Sequence, residues 1–501
     1  MHRAAVYACI FLLVVSGVAP AVVVGSATAE APVAGSASAA GFNTGPLGCV
    51  DGVCHDDELS FNGSDELSSM ELQRLVDRSM ARVEHVRGER FESDVPVDVM
   101  SRETFRARRS GGGGASTEFN RWNDQVWRAL FVVGDEQPAE AAIDEAVGQS
   151  VTGFYRPTTD QIVLITPDPD APRVNERTLI HELTHALQDQ RHDLAQSKYR
   201  GATQDADLAV TGVYEGEAVY MERQYRMRCG DERWQCLAEP ASGVGGGSDT
   251  RNRGVLLTLL QPYSSGPAYI AEVIDEEGWA GVDDRMETPP RTTSELIHRE
   301  PREARRIDRP DTASAGWERY PDQGVDGAEV AGEASIFVMF WYQAAEYGAE
   351  TIDPGVLTET DHPYERRNYA AEPSTGWVAD ELVPYRRGDD DGYVWATEWE
   401  TAADASEFRT AYEAILTAHN ATTVEAGVYI VEAGGFDGAY AISTDGTRVT
   451  IVHAPTTDGL SELAGDLEPN AATEETVPGF GPLVALVALA AVAFVSHRRG
   501  R

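Results

Sequence analysis

The chain has 501 residues, 42% of them apolar, which is enough for a large buried core and for two or three domains. Its 82 acidic residues against 41 lysines and arginines leave a formal net charge of −41, and Lys198 is the only lysine. Nucleic acids and anionic membrane surfaces are bound through basic patches, so this composition disfavours both as partners, and we expect no nucleic-acid binding.

The surplus of carboxylates and the use of arginine in place of lysine resemble the proteins of salt-accumulating archaea. Concentrated salt screens the repulsion between like charges, while exposed carboxylates hold water and ions at the surface. The composition therefore predicts a halophilic archaeal source and carries no information on activity.

The N-terminus predicts export. A short basic start and an apolar stretch are followed by the small residues Ala27-Thr28-Ala29, which is the three-part pattern of a secretory signal peptide. We assign residues 1–29 to the signal and expect the mature chain to begin near Glu30. The length of the apolar stretch, residues 4–24, also allows an uncleaved membrane anchor.

Four cysteines remain after the signal, and they form two local pairs, Cys49 with Cys54 and Cys229 with Cys236. An even number suits disulfides in an oxidising compartment, and the spacings fit zinc knuckles poorly. Local disulfides are favoured, although the sequence leaves crossed pairing open. The first pair lies in residues 30–64, which begin with many Ala, Ser and Gly and which we predict to be a flexible leader.

Residues 65–310 are predicted to form a catalytic region in which two strands are followed by two helices. Apolar periods, turn residues and a helix N-cap indicate its elements in chain order: a helix over 67–86, a strand over 95–100, a hairpin of 153–155 with 162–165, a helix from Asn175 and a helix over 206–227.

The helix that begins near Asn175 carries His181-Glu182-Leu183-Thr184-His185. Residues four apart lie about 40° apart around a helix, so both imidazoles can reach one cation from the same face. The carboxylate of Glu182 points to the side, where it can hold a water beside the metal and act as a base. With only 11 histidines in the chain, this HExxH pattern predicts a metal site rather than two unrelated surface histidines.

Two histidines leave a tetrahedral zinc ion one protein ligand short. The next helix offers Glu215 and Glu217, and these residues lie about 200° apart around a helix, so only one of them can face the metal. The spacing alone leaves the choice between them open.

This arrangement resembles the gluzincin metallopeptidases, in which HExxH lies on one helix and a glutamate on a following helix is the third zinc ligand. The segment Glu215-Gly216-Glu217-Ala218 is similar to the Glu-Gly-x-Ala around that ligand in the aminopeptidase branch. The resemblance implies a zincin-like α+β fold with a small mixed sheet, the HExxH helix, a mainly helical second lobe and a C-terminal α+β extension. The implied zinc ligands are His181, His185 and Glu215, with Glu217 as the alternative third ligand. The implied general base is Glu182.

A second resemblance covers about residues 65–455 and is to a group of zinc-peptidase-like proteins that have no established substrate. In them a helix HELxHALQDQ, here 181–190, is followed by a Pro-Pro-x-Ser/Thr-Thr segment that ends in histidine, here 289–298. A Gly-Trp-x-x-Asp element comes later, here 376–380. This resemblance makes His298 the first candidate for a catalytic donor to the developing oxyanion.

The implied mechanism is zinc-assisted hydrolysis of a peptide bond, with Glu182 taking the proton of the attacking water. Two tyrosines are further candidate donors to the oxyanion, Tyr155 and Tyr214. Carboxylates behind the ligands should orient the two imidazoles, and three are available, Asp189, Asp205 and Asp207. We expect an extended peptide or protein substrate to add to the strand 162–165 as an edge strand, as in zincins generally.

Residues 311–455 are predicted to form a C-terminal lobe, and residues 456–477, which have few large apolar groups, a flexible spacer. In residues 478–501, Pro478-Gly479-Phe480 precedes an apolar run and a basic cluster. This tail resembles the PGF-CTERM sorting signal of archaeal surface proteins, which implies processing by an archaeosortase and a lipid anchor. A hydrophobic tail that anchors the protein directly is the alternative, and both hold it at the cell membrane or surface layer.

The sequence thus predicts an exported, surface-anchored zinc peptidase. The alternative is a non-catalytic surface-layer or adhesion protein with a structural or vestigial metal site. The presence of Glu182 favours the enzyme, because a structural metal site has no use for a base.

Overall fold

The computed structural model describes residues 45–62, 66–110, 116–148, 151–238, 251–465 and 467–470. Over these ranges the protein is a mixed α+β structure with a two-stranded, a three-stranded and a seven-stranded sheet. The predicted signal peptide, residues 30–44 and 63–64 of the predicted leader, and the predicted sorting tail lie outside the described residues.

The N-terminal part alternates short strands with helices and ends in a mainly helical stretch. Its elements are, in chain order, β1 (Cys49–Val50), β2 (Val53–Cys54), α1 (Ser69–Arg87), β3 (Val97–Ser101), α2 (Arg102–Ser110), α3 (Thr117–Ala129), α4 (Ala139–Gly148), β4 (Gly153–Arg156), β5 (Gln161–Thr166), α5 (Glu176–His192), α6 (Gln204–Gly230), α7 (Arg253–Leu260), α8 (Pro262–Glu277), α9 (Trp279–Glu287) and α10 (Thr293–His298).

The C-terminal part consists mostly of antiparallel strands. Its elements are β6 (Glu318–Arg319), α11 (Gly332–Tyr347), β7 (Trp377–Arg387), β8 (Asp390–Trp399), α12 (Ala402–Ala418), β9 (Thr422–Glu425), β10 (Val428–Val431), β11 (Gly438–Asp445), β12 (Arg448–Ala454) and α13 (Thr457–Leu463). The strands form one sheet in the order β6-β7-β8-β12-β11-β10-β9, and every neighbouring pair in it is antiparallel.

The predicted leader is ordered in its second half. Cys49 and Cys54 form a disulfide across the β1–β2 hairpin, and Cys229 and Cys236 form the second, so the local pairing is confirmed. The hairpin packs on α1, and Val50 is buried there. The prediction of a flexible segment up to residue 64 is wrong from residue 45 to 62, because apolar side chains and a disulfide hold this stretch on the helix.

The three-stranded sheet has the order β3-β5-β4, with β5 parallel to β3 and antiparallel to β4. The prediction that residues 162–165 form the substrate-binding edge is therefore wrong, because β5 is the central strand. Its buried run Ile162–Ile165 suits a strand covered on both faces. The strand at the edge nearest the HExxH helix is β4.

The predicted catalytic region, residues 65–310, and the predicted C-terminal lobe, residues 311–455, share a hydrophobic core. Trp122 and Val126 of α3, from the predicted catalytic region, belong to the same buried cluster as Trp395 of β8 and Tyr412 of α12. Trp122 also donates a hydrogen bond from Nε1 to the backbone oxygen of Gly327 at 3.0 Å. The predicted boundary between residues 310 and 311 therefore does not separate two cores.

The predicted spacer begins with a helix. Leu460 and Leu463 of α13 are buried and belong to the cluster that covers the outer face of the seven-stranded sheet. The folded part consequently extends past residue 456, and the flexible spacer predicted from that residue is wrong over α13. Two leucines spaced three apart were sufficient to pack the helix, although the surrounding composition is polar.

The Gly-Trp-x-x-Asp element joins the seven-stranded sheet to the helices. The carboxylate of Asp380, on β7, accepts hydrogen bonds from the backbone N–H groups of Ala331 and Gly332 at 2.9 and 3.0 Å, at the start of α11. It also accepts the indole N–H groups of Trp377 and Trp395 at 3.1 and 3.0 Å. Asp380 therefore satisfies four buried donors at once.

Replacing Asp380 by Ala should destabilise the protein by about 3 kcal/mol or more, because several buried donors lose their acceptor together. The measurement is denaturant unfolding in concentrated salt. The matched control is Asp389→Ala in the exposed turn between β7 and β8, which should change the stability by about 0.5 kcal/mol or less. Equal stability of the two variants would contradict this assignment.

Candidate metal centre

The HExxH helix α5 is held between α1 and α6 by a buried carboxylate. Asn175 caps the helix by accepting from the N–H of Arg177. Glu176, in the first turn, accepts from Arg78 at 2.9 Å and Arg82 at 2.6 Å on α1, and from the hydroxyl of Tyr225 on α6 at 2.9 Å. These contacts fix the position of the motif that follows.

The structure brings His181, His185 and Glu215 together. The Oε2 atom of Glu215 lies 3.0 Å from Nε2 of His181 and 3.3 Å from Nε2 of His185. One ligand atom from each of the three residues lies within 4.8 Å of the others, and all three side chains are fully buried. Among the described residues this is the one such group of His, Cys, Asp and Glu side chains.

Each member of this group is oriented by a hydrogen bond on its far side. The Nδ1 atom of His181 lies 2.8 Å from Oε1 of Glu222, and Nδ1 of His185 lies 2.9 Å from Oε1 of Gln188. The hydroxyl of Tyr263, on α8, donates to Oε1 of Glu215 at 2.8 Å. Such partners hold a ligand in position and set which imidazole nitrogen is free to bind.

The hydrogen bonds of Gln188 determine the tautomer of His185. The Nε2 atom of Gln188 donates to the backbone oxygen of Tyr214 and to Oε2 of Glu217, both at 2.9 Å. Its Oε1 atom must therefore be the one that faces His185, which donates from Nδ1. His181 likewise donates from Nδ1 to the carboxylate of Glu222.

The two Nε2 lone pairs consequently point at the same carboxylate oxygen. Lone pairs that meet at 3.0 to 3.3 Å in a dry interior repel one another unless positive charge lies between them, either as protons or as a cation. Two imidazole nitrogens and one carboxylate oxygen are the donor set that a divalent transition ion such as zinc takes. The residues present therefore fit a metal ion.

The pKa shifts of His181 and Glu215 also favour positive charge in this group. Burial by itself would lower the pKa of His181, but hydrogen bonds to Glu215 and Glu222 outweigh it and raise the pKa to about 10. Burial would raise the pKa of Glu215, but the two histidines lower it to about 2. The site thus holds an ionised carboxylate and attracts positive charge.

Glu182 lies beside this group and is fully buried. Neither of its carboxylate oxygens has a hydrogen-bond partner of normal geometry in the described part of the chain, although the backbone N–H of Tyr155, on β4, interacts with the carboxylate and favours its charged form. Burial raises the pKa of Glu182 to about 7, against the lowering effect of His181 and His185. A Cβ atom placed on Gly153, in β4, would lie 3.4 Å from Oε1 of Glu182, so the backbone of β4 runs beside the carboxylate.

Glu217 faces away from the metal group. Its Oε1 accepts from Nε of Arg87 at 2.8 Å, and its Oε2 accepts from Gln188. The structure therefore places Glu215 with the histidines and Glu217 behind His185. The sequence spacing alone had left the choice between these two glutamates open.

His298 belongs to a different cluster. Its Nε2 lies 2.7 Å from Oε1 of Glu333, whose Oε2 accepts from the hydroxyl of Ser294 at 2.6 Å. The two candidate tyrosines are also bound elsewhere: the hydroxyl of Tyr155 donates to Asp189 and that of Tyr214 pairs with Thr211. In this structure these predicted donors have partners outside the metal group.

The residues predicted to orient the imidazoles are wrong. Asp189 accepts from Tyr155 and Leu194, Asp205 accepts from Thr293, and Asp207 accepts from the N–H of Gly201. The residues that take this role were missed, namely Gln188, Glu222 and Tyr263. Gln188 and Glu222 could have been found from spacing, because they lie three residues after His185 and seven after Glu215, on the same helix faces.

Tyr263 reaches Glu215 because α6 and α8 cross without side chains between them. A Cβ atom on Gly216 would lie 2.6 Å from the backbone carbon of Gly266, and one on Gly266 would lie 2.2 Å from the backbone oxygen of Gly212. Glycine at positions 216 and 266 permits the close crossing. No local sequence pattern predicts such a contact between two distant helices.

A family model described as a domain of unknown function (DUF8575) matches residues 318–464, and a model of the PGF-CTERM motif matches residues 477–499. The first match runs from β6 to α13 and contains the whole seven-stranded sheet. No curated protein and no solved structure matches the chain. The second match confirms the predicted sorting signal, so this is an extracytoplasmic archaeal protein that is processed by an archaeosortase and anchored at the cell surface.

No helix among the described residues is both long and apolar enough to cross a membrane. The apolar run of the sorting motif lies outside those residues.

Replacing Glu215 by Gln should lower the affinity for zinc by about a hundredfold or more, because an amide is a poor ligand for the ion. The matched replacement Glu217→Gln should lower it by about tenfold or less, since this residue acts through Gln188 and His185. Competition with a chromogenic chelator measures both affinities. Equal losses, or a larger loss for Glu217→Gln, would contradict the assignment of Glu215 as the ligand.

Replacing Tyr263 by Phe should weaken zinc binding by about tenfold, because Glu215 loses the donor that orients its carboxylate. The control is Tyr269→Phe on the same helix, whose hydroxyl donates to Glu295. Zinc affinity of the control should equal that of the parent. Parent-like affinity of Tyr263→Phe would show that this hydrogen bond does not position the ligand.

Proposed function

We propose that this surface-anchored protein is a zinc-dependent peptidase with a zincin-like arrangement of the HExxH helix and the edge strand. The observation that carries the proposal is the carboxylate of Glu182. It is fully buried beside the metal group and has no hydrogen-bond partner of normal geometry among the described residues. The backbone N–H of Tyr155 interacts with it, but does not offset the cost of burial, which raises its pKa to about 7. A base that must receive and release a proton would account for it.

The proposed zinc ligands are His181, His185 and Glu215. When bound, zinc polarises a carbonyl and lowers the pKa of water, which is the chemistry that hydrolysis of an amide requires. Glu222, Gln188 and Tyr263 orient the ligands from behind. The choice of zinc follows from the donor set and from the resemblance to gluzincins.

Glu182 acts as the base in this proposal. Its carboxylate takes a proton from the attacking water and later transfers it to the leaving amine. The position supports this role, because Glu182 is one residue after His181 on the same helix and lies against Gly153 of the edge strand β4.

The edge strand β4 supplies the place for the substrate. Its outer edge pairs with no other strand in the described ranges, and Gly153 lies against Glu182. An extended peptide that pairs with β4 would have its backbone beside the base. This replaces β5 as the predicted substrate strand.

A second function is favoured by one observation. The three ligand residues and Glu182 are all fully buried, and structural metal sites are closed in this way, whereas catalytic sites keep an open position. A non-catalytic surface-layer or adhesion protein with a structural metal ion is therefore the alternative.

The replacement Glu182→Gln separates the two functions. For a peptidase, this variant should bind zinc with the parent's affinity while kcat on a peptide library falls by about 10³-fold, because the amide cannot take the proton. The assay is run in concentrated salt, and the control is Glu425→Gln at an exposed position in β9. A parent protein that binds zinc and unfolds at a higher temperature with it, but cleaves no peptide, would support the structural alternative instead.

A further inference from the structure

The helix α2 is basic in a strongly acidic protein. Residues 102–109 read RETFRARR and contain four arginines and one glutamate, while the whole chain has twice as many acidic as basic residues. Arg106 and Arg108 are exposed. A local reversal of charge on such a surface indicates a site for an anionic partner.

This helix lies against the edge strand β4. The rings of Phe105, on α2, and Phe154, on β4, are 5.8 Å apart. Arg102 donates to the backbone oxygen of Val151, just before β4, at 2.6 Å, and its other terminal nitrogen is buried without a partner among the described residues. The basic helix is therefore fixed to the strand that borders Glu182.

A fifth arginine extends the basic surface onto the strand. The guanidinium of Arg156, at the end of β4, lies 4.9 Å above the ring of Phe154. Burial and the charge of Arg108 lower the pKa of Arg156, and Asp98, on the neighbouring strand β3, raises it. The charges of Arg156 and Arg108 thus repel each other, and the carboxylate of Asp98 partly offsets that of Arg156.

The two faces of β4 have different roles. Gly153 and Tyr155 face α5, where a Cβ on Gly153 would approach Glu182 and the hydroxyl of Tyr155 reaches Asp189. Phe154 and Arg156 face α2, as the ring contact with Phe105 requires. In a peptide paired with β4, alternate side chains would share the face of Arg156 and α2.

Recognition by charge must occur at contact in this protein. Concentrated salt reduces the screening length to about 3 Å at 1 M, so the basic surface cannot steer an anion from a distance. A guanidinium in direct contact with a carboxylate still forms a paired, planar hydrogen bond. The arginines of this surface are suited to carboxylates placed at defined positions on a bound strand.

We propose that β4 binds an acidic peptide strand, in which aspartate or glutamate at alternate positions contacts Arg156 and the exposed arginines of α2. This inference rests on the proposed peptidase function, because the acidic peptide is a substrate only if the site cleaves it. The binding itself can be measured without catalysis.

The experiment uses the full chain with Glu182→Gln, so that a bound peptide is not cleaved. Two fluorescent peptides of equal length are compared in concentrated KCl, one with Asp at alternate positions and one with Asn there. Fluorescence anisotropy should give a Kd about tenfold lower for the Asp peptide, as two contact ion pairs would produce. Equal Kd values for the two peptides would overturn the inference.

Arginine replacements locate the site. Arg108→Gln and Arg156→Gln together should remove the preference for the Asp peptide and leave the Kd of the Asn peptide unchanged. The matched control is Arg74→Gln, an exposed arginine on α1, which should keep the full preference. Loss of preference in the control, or its retention in the double variant, would overturn the assignment, and circular dichroism verifies that each variant is folded.

Two further outcomes separate this inference from the proposed function. If the parent cleaves the Asn peptide as well as the Asp peptide, the peptidase stands and the acidic specificity is wrong. If the parent cleaves neither while the Glu182→Gln protein binds the Asp peptide preferentially, the binding surface stands and the peptidase is wrong. Displacement of the Asp peptide by tripolyphosphate at equal charge would mark a general anion site and overturn the peptide assignment.

Discussion

The arrangement of the helices depends on one carboxylate oxygen that faces two imidazole nitrogens in a dry interior. Glu215 Oε2 lies within 3.3 Å of both Nε2 atoms, and the partners behind each ring leave those nitrogens as acceptors. Such a group is stable only if positive charge lies within it. Helices α5, α6 and α8 must therefore be held at fixed distances, and the buried Glu176 cluster and the glycine crossing of α6 and α8 provide this.

The seven-stranded sheet takes part in that support although it contributes no ligand. Asp380 fixes the backbone at residues 331–332, and the N–H of Asp205, in the first turn of α6, donates to the oxygen of Val330 at 3.0 Å. The carboxylate of Asp205 in turn holds Thr293 at the start of α10. A series of hydrogen bonds thus leads from the matched domain to the helix that carries Glu215.

The sequence was sufficient for features that depend on neighbours along one helix. The HExxH spacing predicted a pair of histidines on one face, and the strand–strand–helix–helix order and both local disulfides were predicted. Features that depend on contacts between distant segments were not predictable, such as Tyr263 reaching Glu215 or β5 lying between two other strands. The contact of His298 with Glu333 was not predictable for the same reason, since a motif identifies a residue without its partner.

The core shared by α3 and the seven-stranded sheet limits how this chain can be divided. Residues 318–464, cut out alone, would uncover the surface of β7 and β8 on which α3 now packs, and an N-terminal fragment would leave Trp122 without its acceptor at Gly327. Insertions and deletions between the halves must therefore preserve this packing.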